Sequence, residues 1–202
     1  MTEQEIIVLP AVRLSFPHLF EKQPLDNLYV NTEEKRKYVA TFLLSKDDVN
    51  HVKLVKELKS RIDAIIKEIK IKPAGIELIK DGDEEYNLID DSTEEGKKRK
   101  AKSEYKKGHY IIVAANKQPP KLSLIKGQDL NRAVDQNPFY PGCYVHALIE
   151  LSPYKFNNVW KGISNRLHHV LFYKAGEMFG RTVIDGTSEF DKLDDLDTEN
   201  LF

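Results

Sequence analysis

Gly108-His109-Tyr110-Ile111-Ile112-Val113-Ala114-Ala115 is the stretch on which the fold turns. Its β-branched and aromatic residues favour extended backbone, and Gln118-Pro119-Pro120-Lys121 stops it before a second short extended piece, Leu122 to Ile125. A run of this length, bounded by glycine and proline, predicts a strand rather than a buried helix.

Outward from it, other strand signals recur. Lys37-Tyr38-Val39-Ala40-Thr41-Phe42-Leu43-Leu44 has the same chemistry, and Val12-Arg13-Leu14-Ser15-Phe16 alternates within an early strand, Ile6 to Phe20, with Pro17 as its expected stop. Downstream, the aromatic turn Pro138-Phe139-Tyr140-Pro141-Gly142 leads into the alternating segment Cys143 to Leu151. Asn157-Asn158 makes a hairpin-like break between Tyr154-Lys155-Phe156 and Val159-Trp160-Lys161-Gly162-Ile163, and Leu167 to Tyr173 is one more extended piece.

One segment follows a different period. Val49, Val52, Val55, Leu58 or Lys59, Ile62, Ile65, Ile66 and Ile69 recur at three- and four-residue intervals behind Ser45 and Asp48, which resemble a capping box with a shorter acid. A long amphipathic helix over 47–70 is predicted, ended before Pro73. Its apolar face either packs on the main sheet or pairs across a two-fold axis as a homodimer, and periodicity does not choose. Five or more strands with one long helix and irregular loops fit a mainly β fold with some α: a small β-barrel rather than a parallel α/β sheet.

From Asp81 to Lys107 large apolar residues nearly vanish. Asp81, Asp83, Glu84, Glu85, Asp90, Asp91, Glu94 and Glu95 come first, then Lys97, Lys98, Arg99, Lys100, Lys102, Lys106 and Lys107. The expectation is a flexible acidic-then-basic loop.

The chain has 202 residues and a formal charge of -1, which conceals a separation of charge. Seven acids and one lysine between Asp185 and Phe202 give the end of the chain -6, leaving +5 on residues 1–184. One domain over 1–184 and a disordered acidic tail over 185–202 are expected, the body addressing a polyanion and the tail something basic. Cys143 is the only cysteine, so no intrachain disulfide is available, and a buried, unreactive thiol in a reducing compartment is expected. Glu3 and Glu5 stand where a secretory signal needs positive charge, and no apolar run reaches membrane-spanning length.

Catalytic signatures do not emerge. There is no phosphate loop ending in Gly-Lys-Ser/Thr, no His-Glu-x-x-His, no paired-cysteine metal motif and no nucleophile elbow. His168 and His169 are adjacent, which on a strand sends them to opposite faces and separates them as ligands. No cofactor, metal or catalytic residue is expected. What does emerge is an interleaving of cations and rings: Lys97, Lys98, Arg99, Lys100, Lys102, Tyr105, Lys106, Lys107, Tyr110 and Lys117, then Tyr154, Lys155, Phe156, Trp160, Lys161 and Arg166. Single-stranded nucleic acid asks for this mixture, because cations neutralise phosphates while flat rings stack on any base. In the tail, Asp194, Asp195, Asp197, Glu199, Leu201 and Phe202 combine acids with an apolar end that a partner with a basic rim and apolar pocket could hold. Two other classes stand beside this reading: an adaptor that recruits partners without touching DNA, and a nuclease using the Asp81-region carboxylates with a divalent ion.

Arg13-Leu14-Ser15-Phe16-Pro17-His18-Leu19-Phe20, Asp81-Gly82, Lys107-Gly108-His109-Tyr110, Asn116, Pro120, Tyr140-Pro141-Gly142-Cys143-Tyr144, Asn157, Lys161-Gly162-Ile163 and Gly180-Arg181 occur in that order. Together they resemble the phage and prophage single-stranded DNA-binding proteins long catalogued as a domain of unknown function. That resemblance implies an oligonucleotide/oligosaccharide-binding barrel, ssDNA binding without sequence preference, and service in phage replication or recombination in the bacterial cytoplasm. It also implies recruitment of replication or recombination proteins through the acidic tail. The Lys97–Lys107 stretch is more basic than the family pattern, and Arg166-Leu167-His168-His169 departs from its usual polar stretch.

Overall fold

The computed structural model describes residues 5–23, 36–72, 77–125, 128–129 and 138–179. The proposed tail, Gly180-Arg181 and Pro73 lie outside them.

The strand centred on Ile112 is present as β4, His109–Asn116, and it is central to a closed barrel. β1 (Glu5–Gln23) pairs antiparallel with β2 (Lys37–Ser45) on one side and with β7 (Tyr144–Phe156) on the other. β2 pairs with β4, β7 pairs with β8 (Val159–Lys174), and a parallel contact between Ala115 of β4 and Arg166 of β8 closes the ring. Five strands closed in this order have the topology of the oligonucleotide/oligosaccharide-binding barrel. Three short strands are appended: β3 (Lys80–Asp81) on β4, β5 (Lys121–Ile125) beside β8, and β6 (Gln128–Asp129) on β5.

Pro17 does not stop β1. The strand passes it with register shifts between Leu9 and Val12 and between Ser15 and His18, and Ala11 and Phe16 take positive φ of 50° and 41°. Such bulges let one strand bend sharply enough to serve both halves of a small barrel, and proline is tolerated where the ladder is already interrupted. In the same way the four downstream pieces, from Cys143–Leu151 through Tyr154–Phe156 and Val159–Ile163 to Leu167–Tyr173, merge into only two strands, which pair from Tyr144↔Lys174 to Phe156↔Val159.

Helix α1 spans Val49–Ile69, as the periodicity predicts. Val55, Leu58, Ile62, Ile65, Ile66 and Ile69 are buried in the same core as Leu9, Leu14, Phe42, Ile112, Ile149 and Leu167, so the apolar face is used inside the chain. Two details of its start differ from expectation. Asp48, not Ser45, is the N-cap: its Oδ1 accepts from the amides of Asn50 (2.8 Å) and His51 (3.4 Å). Val49 is exposed, and His51 turns inward in its place, accepting from the Ser45 amide at 3.1 Å and meeting the Pro10 carbonyl at 2.9 Å. These bonds give the end of β2 and the bulge of β1 polar partners that valine could not supply. Cys143 is fully buried, and desolvation pushes its thiol up to about 11, as suits an inert core residue.

The expected loop over 81–107 is instead folded. It holds α2 (Gly82–Asn87), α3 (Glu94–Lys102) and a 3-10 turn at Glu104–Lys106. The physical reason is the segment's own charge, because two ion pairs join the acidic half to the basic half and two more link neighbours three residues apart. Lys97 pairs with Glu94, Lys100 with Asp91, Lys106 with Glu85 and Lys107 with Glu104, at 2.7–3.2 Å. Asp81 and Thr93 cap the two helices. Gly82 lies so close to the carbonyls of Lys106 and His109 that no side chain fits there, which ties α2 to the start of β4.

Candidate nucleic-acid interface

Among the described residues the most exposed aromatic side chain, Phe156, lies on the arm formed by the ends of β7 and β8. Asn157 and Asn158 both take left-handed backbone, φ 50° and 61°, the combination required by a two-residue hairpin turn whose twist matches its strands. Asparagine enters that region more readily than other residues with a side chain. Tyr154 and Phe156 lie on one face of the arm, 49% and 65% exposed, with Val159 opposite Phe156 and also exposed. The Tyr154 ring lies across Gly162, where a Cβ would stand 2.8 Å from the phenol oxygen and 2.9 Å from the ring. Lys155 places its Nζ 4.3 Å from the centre of the Trp160 ring, and Trp160 itself is half-buried against the core. Lys161 is exposed beside it. This one arm therefore carries two rings open to solvent and two exposed cations.

The remaining predicted residues divide sharply. Tyr105 is packed, stacked on Phe179 at 4.9 Å and meeting Phe16 edge-on at 5.6 Å. Tyr110 is half-buried between the ammonium groups of Lys46 and Lys59, at 5.1 and 5.6 Å. Of the basic run, Lys97, Lys100, Lys106 and Lys107 are in the ion pairs described above, and Lys107 also sits 4.3 Å from the Tyr86 ring. Lys98, Arg99 and Lys102 are exposed and carry no ion pair among the described residues.

Lys117 and Arg166, far apart in sequence, meet at the barrel seam. They line a cleft of about 540 Å³ together with Lys37, Asn116, Gln118 and His168. The seam has a single backbone pairing, and side chains reinforce it: Asn116 donates to the Leu167 carbonyl at 2.9 Å, and Asn165 to those of Val113 and Leu78 at 3.0 and 3.2 Å. Arg166 and His168 are both anchored by buried Glu150, at 3.4 and 2.7 Å, while His169 meets Ser123 at 2.8 Å. The two histidines thus have separate partners, in keeping with opposite faces. Lys37 is the cleft cation the sequence reading missed. It opens β2 about eighty residues from Lys117, and only the pairing of Tyr38 with Asn116 brings it to the seam.

The Asp81 cluster has a different role from metal binding. Lys46 Nζ reaches Asp81 at 2.6 and 2.7 Å and Asp83 at 2.6 Å, and Asp83 also accepts from the Gly108 amide at 3.0 Å. Burial would raise the Asp81 pKa, but Lys46 and the amides of Glu84 and Asp83 outweigh it and hold it below 3.8. Asp83 is held below 3.8 by Lys46 first and by Gly108 next. No group of three His, Cys, Asp or Glu suited to a metal is found among the described residues. Nor is any described helix long and apolar enough to cross a membrane.

Comparison with known proteins agrees with this architecture. Protein p50 of Acyrthosiphon pisum secondary endosymbiont phage 1 is 33% identical over 198 residues, spanning 96% of this chain and 97% of that protein. The single-stranded DNA-binding protein from bacteriophage Enc34 in complex with ssDNA shares the fold at a TM-score of 0.61 and 24% identity, over 87% of this chain and 89% of that one. A second structure of the Enc34 protein matches at 0.61 and 23% identity, over 92% and 90% of the two chains. The family described as "Enterobacter phage Enc34, ssDNA-binding protein" matches residues 5–201 in sequence, and with a barrel of this topology underneath it the chain belongs to that family.

Proposed function

We propose that this protein binds single-stranded DNA without sequence preference, as a non-catalytic coating protein of phage replication or recombination, acting in the host cytoplasm. The observation that carries the reading is the β7–β8 arm, where exposed Tyr154 and Phe156 stand beside Lys155 and Lys161. On barrels of this topology the loop between the fourth and fifth strands is one of the places that grip oligonucleotides, and β7 and β8 are those strands here. Stacking accepts every base, so such an arm confers affinity without readout. Family membership supports the same activity, since the Enc34 protein is described as an ssDNA-binding protein and as being in complex with ssDNA.

Trp160, Arg166, Lys117 and the exposed cations of α3 would flank the strand, while Tyr105 and Tyr110 serve packing. The tail residues Asp194, Asp195, Asp197, Glu199, Leu201 and Phe202 would recruit replication or recombination proteins. The apolar face of α1 is already buried, so self-association through that helix is not part of the reading. Neither is the nuclease alternative, because Lys46 holds the carboxylates it would need.

The test is fluorescence anisotropy with labelled oligo-dT. Binding is expected at low salt, weaker at high salt and weaker for a duplex of equal length. Tyr154→Ala and Phe156→Ala should each lose about 1–3 kcal/mol, the worth of one stacked base. Absence of binding at low salt, or binding indifferent to both substitutions, would count against it, and the former would favour an adaptor role.

A further inference from the structure

We infer that the barrel seam is a phosphate seat for the DNA strand, and that its cations contribute more to the salt dependence of binding than the ion-paired lysines of the more conspicuous basic run. The inference deepens the proposed ssDNA-binding function and rests on it. Three cationic side chains, Lys37, Lys117 and Arg166, line one cleft of about 540 Å³. Lys37 and Lys117 have no ion pair among the described residues, so a phosphate meets them without displacing a carboxylate. Arg166 is tethered to Glu150 through Nη1 alone, at 3.4–3.5 Å, which holds the guanidinium at the cleft and leaves its other nitrogens free of that carboxylate.

The lysine run presents the contrary case. Four of its side chains are neutralised by acids three to twenty-one residues away, and a phosphate at any of them has to compete with a carboxylate already in contact. Charge count in sequence therefore overstates what this segment offers to DNA.

Position supports the seat. Val159 at the arm and Arg166 at the seam lie on the same strand, seven residues apart, or about 23 Å along β8. A strand whose bases stack at Tyr154 and Phe156 can follow β8 and lay its backbone in the cleft. Ordinary oligonucleotides span that distance in a few nucleotides, so arm and seat work on one molecule of DNA.

The experiment is the salt dependence of oligo-dT affinity for the full chain, between 0.1 and 1 M salt. Each phosphate of single-stranded DNA that a cation neutralises, with release of its counterions, contributes about 0.7 to the log–log slope, so Lys37→Ala/Lys117→Ala should make the slope about 1.4 shallower. That corresponds to about 25-fold weaker binding at 0.1 M salt, converging with the wild type near 1 M. Lys97→Ala/Lys107→Ala, which removes the same charge from paired positions, should change the slope by less than half as much. An unchanged urea midpoint in both variants confirms that folding is intact. An unchanged slope in the seam variant, or an equal change in the paired-lysine variant, overturns the inference while wild-type binding leaves the proposed function standing. Failure of the wild type to bind oligo-dT sinks the function itself.

Discussion

Lys46 shows how much one side chain can organise. Burial opposes its charge, yet hydrogen bonds to Asp81 and Asp83 prevail and raise its pKa above 10.5, so it stays an ammonium throughout the range in which the protein works. It joins the end of β2 to the start of α2, and Asp83 passes the link to Gly108 at the head of β4. Both carboxylates are depressed in the folded chain. Their contribution to stability is therefore complete above the unfolded value of 3.8 and lost as pH falls below it through the folded values. Urea midpoints of the wild type should fall across that acid window, and Lys46→Met should show a flatter acid limb and a lower midpoint at neutral pH. An identical acid limb in the variant would show that these carboxylates owe their depression to other groups. Nothing in the sequence marks Lys46 among 31 basic residues; the Asp81-Gly82 pair was legible as a motif, its cation was not.

At the scale of elements, the arm and the charged segment teach opposite lessons. The Asn157-Asn158 break was legible because two consecutive left-handed residues suit asparagine and little else except glycine. Asn157→Ala/Asn158→Ala should cost up to about 1 kcal/mol at each position, since alanine keeps the Cβ that left-handed backbone crowds and loses the carboxamide whose local hydrogen bonding offsets it. Amide exchange in 155–161 is expected to accelerate and oligo-dT affinity to drop, while the glycine pair in the same places keeps both near wild type. Equal exchange in the alanine variant would mean that the turn is held by contacts beyond its own backbone. The segment over 81–107 was misread as a flexible loop because its composition lacks apolar residues. Composition does not register that Glu85 and Lys106, or Asp91 and Lys100, come face to face once α2 and α3 fold back. Each such surface pair contributes little, about 0–1 kcal/mol, so their number and the caps at Asp81 and Thr93 matter more than any one of them.

For the whole molecule, the charge separation and the barrel closure belong together. With -6 on residues 185–202 and +5 on the rest, deletion of 185–202 should preserve or tighten ssDNA affinity, because the body keeps all of its DNA-facing cations and loses an acidic competitor. Capture of replication or recombination proteins should be abolished in the same variant. A large loss of affinity on deletion would overturn that division of labour, and anisotropy with pull-down on one preparation reads both. Closure decides which cations share the seam cleft. Lys37, Lys117 and Arg166 come from β2, the turn after β4, and β8, and they become neighbours only because β2 pairs with β4 and β4 with β8.

The sequence by itself determined the strands, the long helix, the tight Asn-Asn turn, the lone inert cysteine and the polarity of charge. Each of these rests on local preference or on a periodicity that any short window carries. Tertiary structure alone decided that β1 runs through Pro17, that four downstream pieces are two strands, and that His51 rather than Val49 faces inward. It also decided which rings are spent in packing, as Tyr105 is on Phe179, and which stay open, as Phe156 does. Which cations share the seam cleft depends on residues distant in the chain, because barrel closure sets those distances.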